Sequence, residues 1–185
     1  MLKVGTRMGE RRLRKLSGNE LLEYALAALS RRAMSTAEIE QRLRRRAAEV
    51  KEVAGVVARL KELRCLDDAR FAEGLAQSRL EWQGYGKQRV VRDLRARKVP
   101  AALAASVASQ VYAGTEETEL VERFLERKYR NQNLSQLLRQ ETELAGAYRK
   151  LRYAGFSASA AIRVLKRYSA QAEALEGSEE TGEED

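Results

Sequence analysis

The chain has 185 residues, a net charge of +8, 34% charged and only 6% aromatic side chains, no histidine and one cysteine. That composition removes the commonest general base and metal ligand, and it excludes an internal disulfide or a thiolate metal cage. No stretch approaches the roughly 18 apolar residues that a membrane span needs, and no apolar signal-peptide core follows the basic start. A cytoplasmic protein with no membrane partner, catalytic residue, metal or cofactor is expected.

Charge is sorted along the chain. From Glu173 onward there are seven acidic side chains and no basic one, so residues 1–172 carry +15 against +8 for the whole. Of the 35 basic residues 26 are arginine, whose planar fork matches phosphate and carboxylate. A body this basic is suited to nucleic acid or an acidic protein surface. Coding bias accounts for some of the arginine, though not for its separation from an acidic tail.

Alanine, leucine, arginine and glutamate dominate, period-2 alternation is missing, and the one proline leaves long stretches free to be helical. Residues 1–18 read as a basic, mobile arm. Asn19 to about Arg32 predicts a helix with Leu22, Leu26 and Leu29 on one face. Ser35-Thr36-Ala37-Glu38 has the form of a capping box, opening a helix that buries Ile39 and Leu43. A third helix, about Val50 to Leu63, turns Val53, Val56, Val57 and Leu60 inward, with Cys65 expected as a small core residue just beyond it.

The pattern recurs. Asp67 or Asp68 caps a helix carrying Phe71, Leu75 and Leu80, and Gly84-Tyr85-Gly86 turns the chain. Arg89 to Arg97 forms a basic helix burying Val90, Val91 and Leu94. Pro100 suits the first turn of the next helix, which holds Leu103, Val107 and Val111. Thr115 starts a further group with Leu120, Phe124 and Leu125 inward. Asn131-Gln132-Asn133 is a break, and helices over Leu137 to Tyr153 and Ser157 to Tyr168 close the array. The expected division is an arm, 1–18; three-helix repeats at 19–66, 67–113 and 114–170; and a disordered acidic tail, 171–185.

One frame occurs three times, at Ser35 to Leu43, Gly86 to Leu94 and Ser157 to Leu165. Each opens on a small turn residue, with Ile39, Val90 or Ala161 four positions on and leucine at eight. That is the apolar edge of a short helix, repeated. The fold class read from it is all-α, an elongated tandem array of three-helix, helix-turn-helix-like repeats. Of the core candidates, Leu26, Ile39, Leu43, Val57, Leu60, Phe71, Leu75, Leu94, Phe124, Leu151 and Leu165 are expected to be buried.

Sharper readings of two motifs fall away. Asp67-Asp68 has no accompanying cluster of metal ligands and reads as a helix cap. Gly84-Tyr85-Gly86 lacks the strand and third glycine of a phosphate-cradling loop and reads as a turn. Tyr85 either stacks on a base or partner side chain or packs against Trp82. The basic faces are either solvated or contact surfaces.

Ala28-Leu29-Ser30-Arg31-Arg32 followed by Ser35, Leu66-Asp67-Asp68-Ala69-Arg70-Phe71-Ala72, Gly84-Tyr85-Gly86-Lys87-Gln88-Arg89 and Gly155-Phe156-Ser157, in this order, resemble the RecX family. The resemblance covers about Leu21 to Tyr168. It implies a tandem array of three-helix repeats. It also implies a non-enzymatic regulator that binds the RecA recombinase filament on DNA and restrains strand exchange, ATP hydrolysis and co-protease action in DNA repair and recombination. Where the family usually has glycine at helix ends, this chain has Ala47, Arg64 and Lys98; either those turns are strained or the helices end differently.

The expected partners are a RecA-type filament and single- or double-stranded DNA, met by a monomer. The contact residues are Arg31, Arg32, Arg42, Arg45, Arg46, Tyr85, Lys87, Arg89, Arg92 and Arg95. Neither Arg89 nor Arg92 is assigned to the core, so changing both to glutamate is expected to abolish restraint of the recombinase while leaving helix content and melting temperature nearly unchanged. The acidic tail is expected to mask the basic body weakly. A stand-alone helix-turn-helix DNA-binding protein is the alternative, though Ala37, Glu38 and Glu40 suit a recognition helix poorly.

Overall fold

The computed structural model describes residues 14–178, and every regular element among them is helical. The chain divides into two compact units between Asp67 and Asp68.

The first unit holds α1 (Gly18–Arg31), α2 (Thr36–Arg46) and α3 (Glu52–Glu62). Its organising residue is Ser35, fully buried. The Glu38 amide donates to the Ser35 hydroxyl at 3.2 Å, and the Ser35 amide donates to the Glu38 carboxylate at 3.1 Å. Two of the otherwise unpaired amides at the start of α2 are thereby satisfied. Ile39 and Leu43 then pack with Val53, Val57 and Leu60 of α3 and with Leu21, Ala25 and Ala28 of α1. The arm expected to be mobile is partly ordered. Leu16 packs on this core and pairs with Ala47, with Leu16 N–H donating to the Arg46 carbonyl at 2.8 Å. Residues 1–13 of the arm lie outside the described residues.

The second unit has two apolar clusters. One lies among α4 (Asp68–Glu81), α5 (Lys87–Ala96) and α6 (Ala101–Val111). The other lies among α7 (Glu117–Lys128), the one-turn α8 (Leu134–Leu137), α9 (Glu141–Tyr153), α10 (Ala158–Leu165) and a 3-10 helix, Ala170–Ser178. Tyr85 and Tyr112 pack against both clusters. The Tyr112 hydroxyl donates to the Tyr85 carbonyl at 2.6 Å, and burial pushes its pKa up.

The repeated frame has a direct structural meaning. Ser35, Gly86 and Ser157 each stand at the N-cap of a helix. Ile39, Leu43, Val90, Leu94, Ala161 and Leu165 are all completely buried. Ser157 is capped across the fold: its amide and hydroxyl each donate to Glu117 of α7 at 2.7 Å, while its oxygen accepts the Ala160 amide.

Some core assignments move by one position. Leu26 is exposed, and Phe71, Leu75 and Phe124 are only half-buried. The centres of α1, α4 and α6 are instead Ala25 and Ala28, Ala72 and Ala76, and Ala104 and Ala108. Small side chains let helix axes approach closely, and the larger residues beside them flank the contact. Ranking residues by size selects the flank. Cys65, expected in the core, is exposed. The helix expected from Leu137 to Tyr153 is broken, with α8 ending at Leu137 and α9 beginning at Glu141.

The tail differs from expectation at its start. Ala172 is buried and Leu175 packs on the last cluster, so apolar contacts hold the chain through the 3-10 helix. Glu173 pairs with Lys166. Residues 179–185 lie outside the described residues.

The three helix ends lacking glycine resolve both ways. Arg64 (φ 55°) and Lys98 (φ 61°) adopt the left-handed conformation. The amides that follow them, Cys65 and Val99, reach back to the Leu60 and Leu94 carbonyls at 2.9 and 3.1 Å. That closing bond ends a helix through a left-handed residue, at a cost of roughly 1 kcal/mol when the residue is not glycine. Ala47 is extended instead (φ −62°, ψ 137°), which frees it to meet Leu16.

Candidate partner-binding groove

Two of the four residues expected to meet a partner on α5, Arg89 and Arg92, are built into a junction within the second unit. α5 has no side-chain cap and no acidic residue in its first turn. Its amides are satisfied by the end of α9: Gly86 donates to the Ala154 carbonyl at 2.9 Å and Gln88 to the Gly155 carbonyl at 3.2 Å. The positive end of one helix thus meets the negative end of another. The backbones come so close that a Cβ on Gly86 would lie 2.3 Å from the Gly155 oxygen, and one on Gly155 2.2 Å from the Arg89 nitrogen. Gly155 also has φ +91°, so glycine is required twice over.

Arg89, half-buried, and Arg92, exposed, both brace this junction, although neither is assigned to the core from the sequence. Arg89 lies 5.4 Å from the Tyr85 ring centroid and 4.6 Å from that of Tyr153. Its guanidinium pairs with Asp93 at 3.0 Å, and Asp93 also pairs with Arg79 at 2.8 Å. A hydrogen bond to Tyr153 raises the Arg89 pKa, and the same bond and the guanidinium charge lower that of Tyr153. Arg92 donates to the Tyr153 carbonyl at 2.9 Å, occupying an acceptor at the end of α9. Changing both to glutamate is therefore expected to destabilise the junction. The periodicity of α5 misses this because neither residue lies on its apolar stripe. Tyr85 lies under Arg89, with no ring contact to Trp82.

The other expected contacts divide into engaged and free cations. Arg32 pairs with Glu38 at 3.3 Å. Arg42 and Arg46 lie 5.4 and 5.0 Å from the Tyr24 ring centroid, and Arg42 also donates to the Tyr24 hydroxyl at 3.0 Å. Arg31, Arg45, Lys87 and Arg95 are exposed, and among the described residues their side chains meet no acceptor. Arg31 and Arg45 stand on the first unit, Lys87 and Arg95 on the second.

Beside the junction is an open groove of about 670 Å³, wholly within the second unit. It is lined by four aromatic residues, Trp82, Tyr85, Phe124 and Tyr153, and by four cations, Arg127, Lys128, Arg149 and Lys150, with no carboxylate in the lining. Trp82 is 79% exposed and Tyr153 70%. Arg127 holds the end of α4 in place by donating to the Trp82 and Gln83 carbonyls. Lys150 donates to the Tyr129 hydroxyl at 3.0 Å. Among the described residues Lys128 and Arg149 have no acceptor. Of these residues only Tyr85 was visible as a site candidate in the sequence. The others come from α7, α9 and the turn after α4, and no local motif joins them.

These features define an all-α helical-repeat protein with a groove lined by basic and aromatic side chains. A family model described as RecX, second three-helix domain, matches residues 67–107. The chain belongs to the RecX family. It is 31% identical over 146 residues to a regulatory protein RecX of Mycobacterium sp. (strain JLS), covering 77% of this chain and 78% of that one. A regulatory protein RecX of Chlorobaculum tepidum is 30% identical over 109 residues, 59% of this chain and 66% of that one. The fold is similar to the crystal structure of RecX from Lactobacillus salivarius, with a TM-score of 0.63 at 17% identity over 82% of this chain and 96% of that one. Among the described residues no helix is long and apolar enough to cross a membrane.

Proposed function

We propose that this chain is a non-enzymatic regulator that binds a RecA-type recombinase filament on DNA and restrains strand exchange, ATP hydrolysis and co-protease action. Family membership over 77% of the chain carries this reading. The physical character of the surface supports it. A helical-repeat scaffold offers several contact faces, and the free cations Arg31, Arg45, Lys87 and Arg95 suit phosphate or acidic side chains. The stand-alone DNA-reading alternative is weaker. The first turn of α2 presents Ala37 and Glu38, and Glu38 is consumed by the capping box.

The test is strand exchange and ATP hydrolysis by the cognate recombinase on DNA, with and without the full chain. Both rates are expected to fall as the chain is added. Unchanged rates at saturating chain would remove the assignment. Sequence-specific footprinting without recombinase would favour the stand-alone reading.

A further inference from the structure

We propose that the groove walled by α7, α9 and the turn after α4 binds a single strand of nucleic acid, with a base stacked on Trp82 and phosphates held by Lys128 and Arg149. On the filament reading above, the strand is the DNA within or beside the filament, and the proposal rests on that reading for its setting.

Three observations point to this occupant. The first is Trp82. An indole 79% exposed at the rim of a groove, with no ring or cation partner among the described residues, presents a large apolar face to water. Every base has a flat face that covers such a ring, which is how single strands are held without sequence preference. Tyr153, 70% exposed and steadied by Arg89, supplies a second ring in the same lining.

The second is charge. Four cations and no carboxylate line the groove, and Lys128 and Arg149 are exposed without an acceptor. The third is space. Gly146 lies inside α9 in the groove lining, and a Cβ there would meet nothing within 4 Å. Glycine is the poorest helix former after proline, so this helix forgoes propensity where a side chain would narrow the groove. An acidic peptide would use the cations but leave the indole unstacked. A duplex hides its base faces. The paired aromatic and cationic lining therefore favours a single strand.

Trp82 is the only tryptophan in the chain, so its fluorescence reports on the site directly. The full chain is titrated with an oligothymidine of about ten nucleotides, with a duplex of the same length and with a polyglutamate peptide. No recombinase is present, so this test and that of the regulatory function fail separately. Oligothymidine is expected to quench Trp82 most strongly, and its affinity to fall with salt by about −0.7 in log–log slope per phosphate held.

Gly146→Leu fills the groove while improving helix propensity, so folding is retained. It is expected to weaken oligothymidine binding at least tenfold at unchanged helix content. Trp82→Ala, read by anisotropy of a labelled oligonucleotide, is expected to weaken binding roughly tenfold. Quenching by polyglutamate and not by oligothymidine would make the groove an acidic-peptide site and overturn the proposal. So would oligothymidine binding that both variants leave intact, quenching by the duplex alone, or no binding of any probe.

Discussion

The same nine-residue frame opens α2 in the first unit and α5 in the second, yet the two helix starts are finished differently. At α2 the cap is local: Ser35 and Glu38 satisfy each other's amides within one turn. At α5 the cap residue is Gly86, which has no side chain, and the acceptors come from Ala154 and Gly155 at the end of another helix. Serine makes a helix start that is complete in itself. Glycine leaves a gap that a neighbouring backbone fills, and so ties two helix groups into one unit.

That contrast breaks most sharply at the glycines. Gly155→Ala places a methyl against the Arg89 backbone at a positive φ, and Gly86→Ala drives one into the Gly155 carbonyl. Each is expected to destabilise by about 3 kcal/mol or more, measured by denaturant unfolding followed by circular dichroism. Ser35→Ala in the first unit should cost only about 1 kcal/mol, the usual loss for a cap. Equal losses at Ser35 and Gly155 would show that the α5–α9 junction adds nothing beyond an ordinary cap.

A smaller effect is expected from charge. Arg89→Glu with Arg92→Glu should cost about 2 kcal/mol, because a half-buried ion pair becomes a repulsion beside Asp93 and the α9 carbonyls lose a donor. Arg31→Glu with Arg45→Glu, on free surface cations, should stay within about 0.5 kcal/mol. A double α5 variant that unfolds at the wild-type denaturant midpoint would show that Arg89 and Arg92 add nothing to the stability of the junction.

The smallest effects concern the helix ends. Lys98→Gly and Arg64→Gly should each stabilise by about 0.5 kcal/mol, the relief of left-handed strain less the added freedom of the unfolded chain. Ala47→Gly should destabilise, since Ala47 has ordinary dihedrals and its methyl is buried. Thermal melting distinguishes the signs. Stabilisation by Ala47→Gly would mean that the Leu16 bridge is not what ends α2.

Much of this fold was legible in the sequence, because helix starts and apolar periodicity are local. The three frames marked three caps and six fully buried side chains. The alanine centres of α1, α4 and α6 were not legible, since alanine carries no strong apolar signal and only the facing helix shows that it is central. The groove escaped for another reason. Trp82, Phe124, Arg127, Arg149 and Tyr153 are spread over three segments, and each alone reads as ordinary surface. The role of Arg89 was hidden because the ring that covers it, Tyr153, arrives from a helix far along the chain.

The junction between α5 and α9 also sets an order of events in folding. It joins groups 61 residues apart in sequence, as the Arg92 bond to Tyr153 measures. Closing so long a loop is entropically unfavourable until the helices it joins exist. Local pieces such as the Ser35 start can form early, whereas the Gly86–Gly155 contact is expected to close late in the folding of its unit. Interactions that form after the rate-limiting step govern how fast a protein comes apart, not how fast it comes together. Strain at Gly155 should accordingly appear as faster unfolding with little change in the folding rate, making this seam the kinetic latch of the second unit.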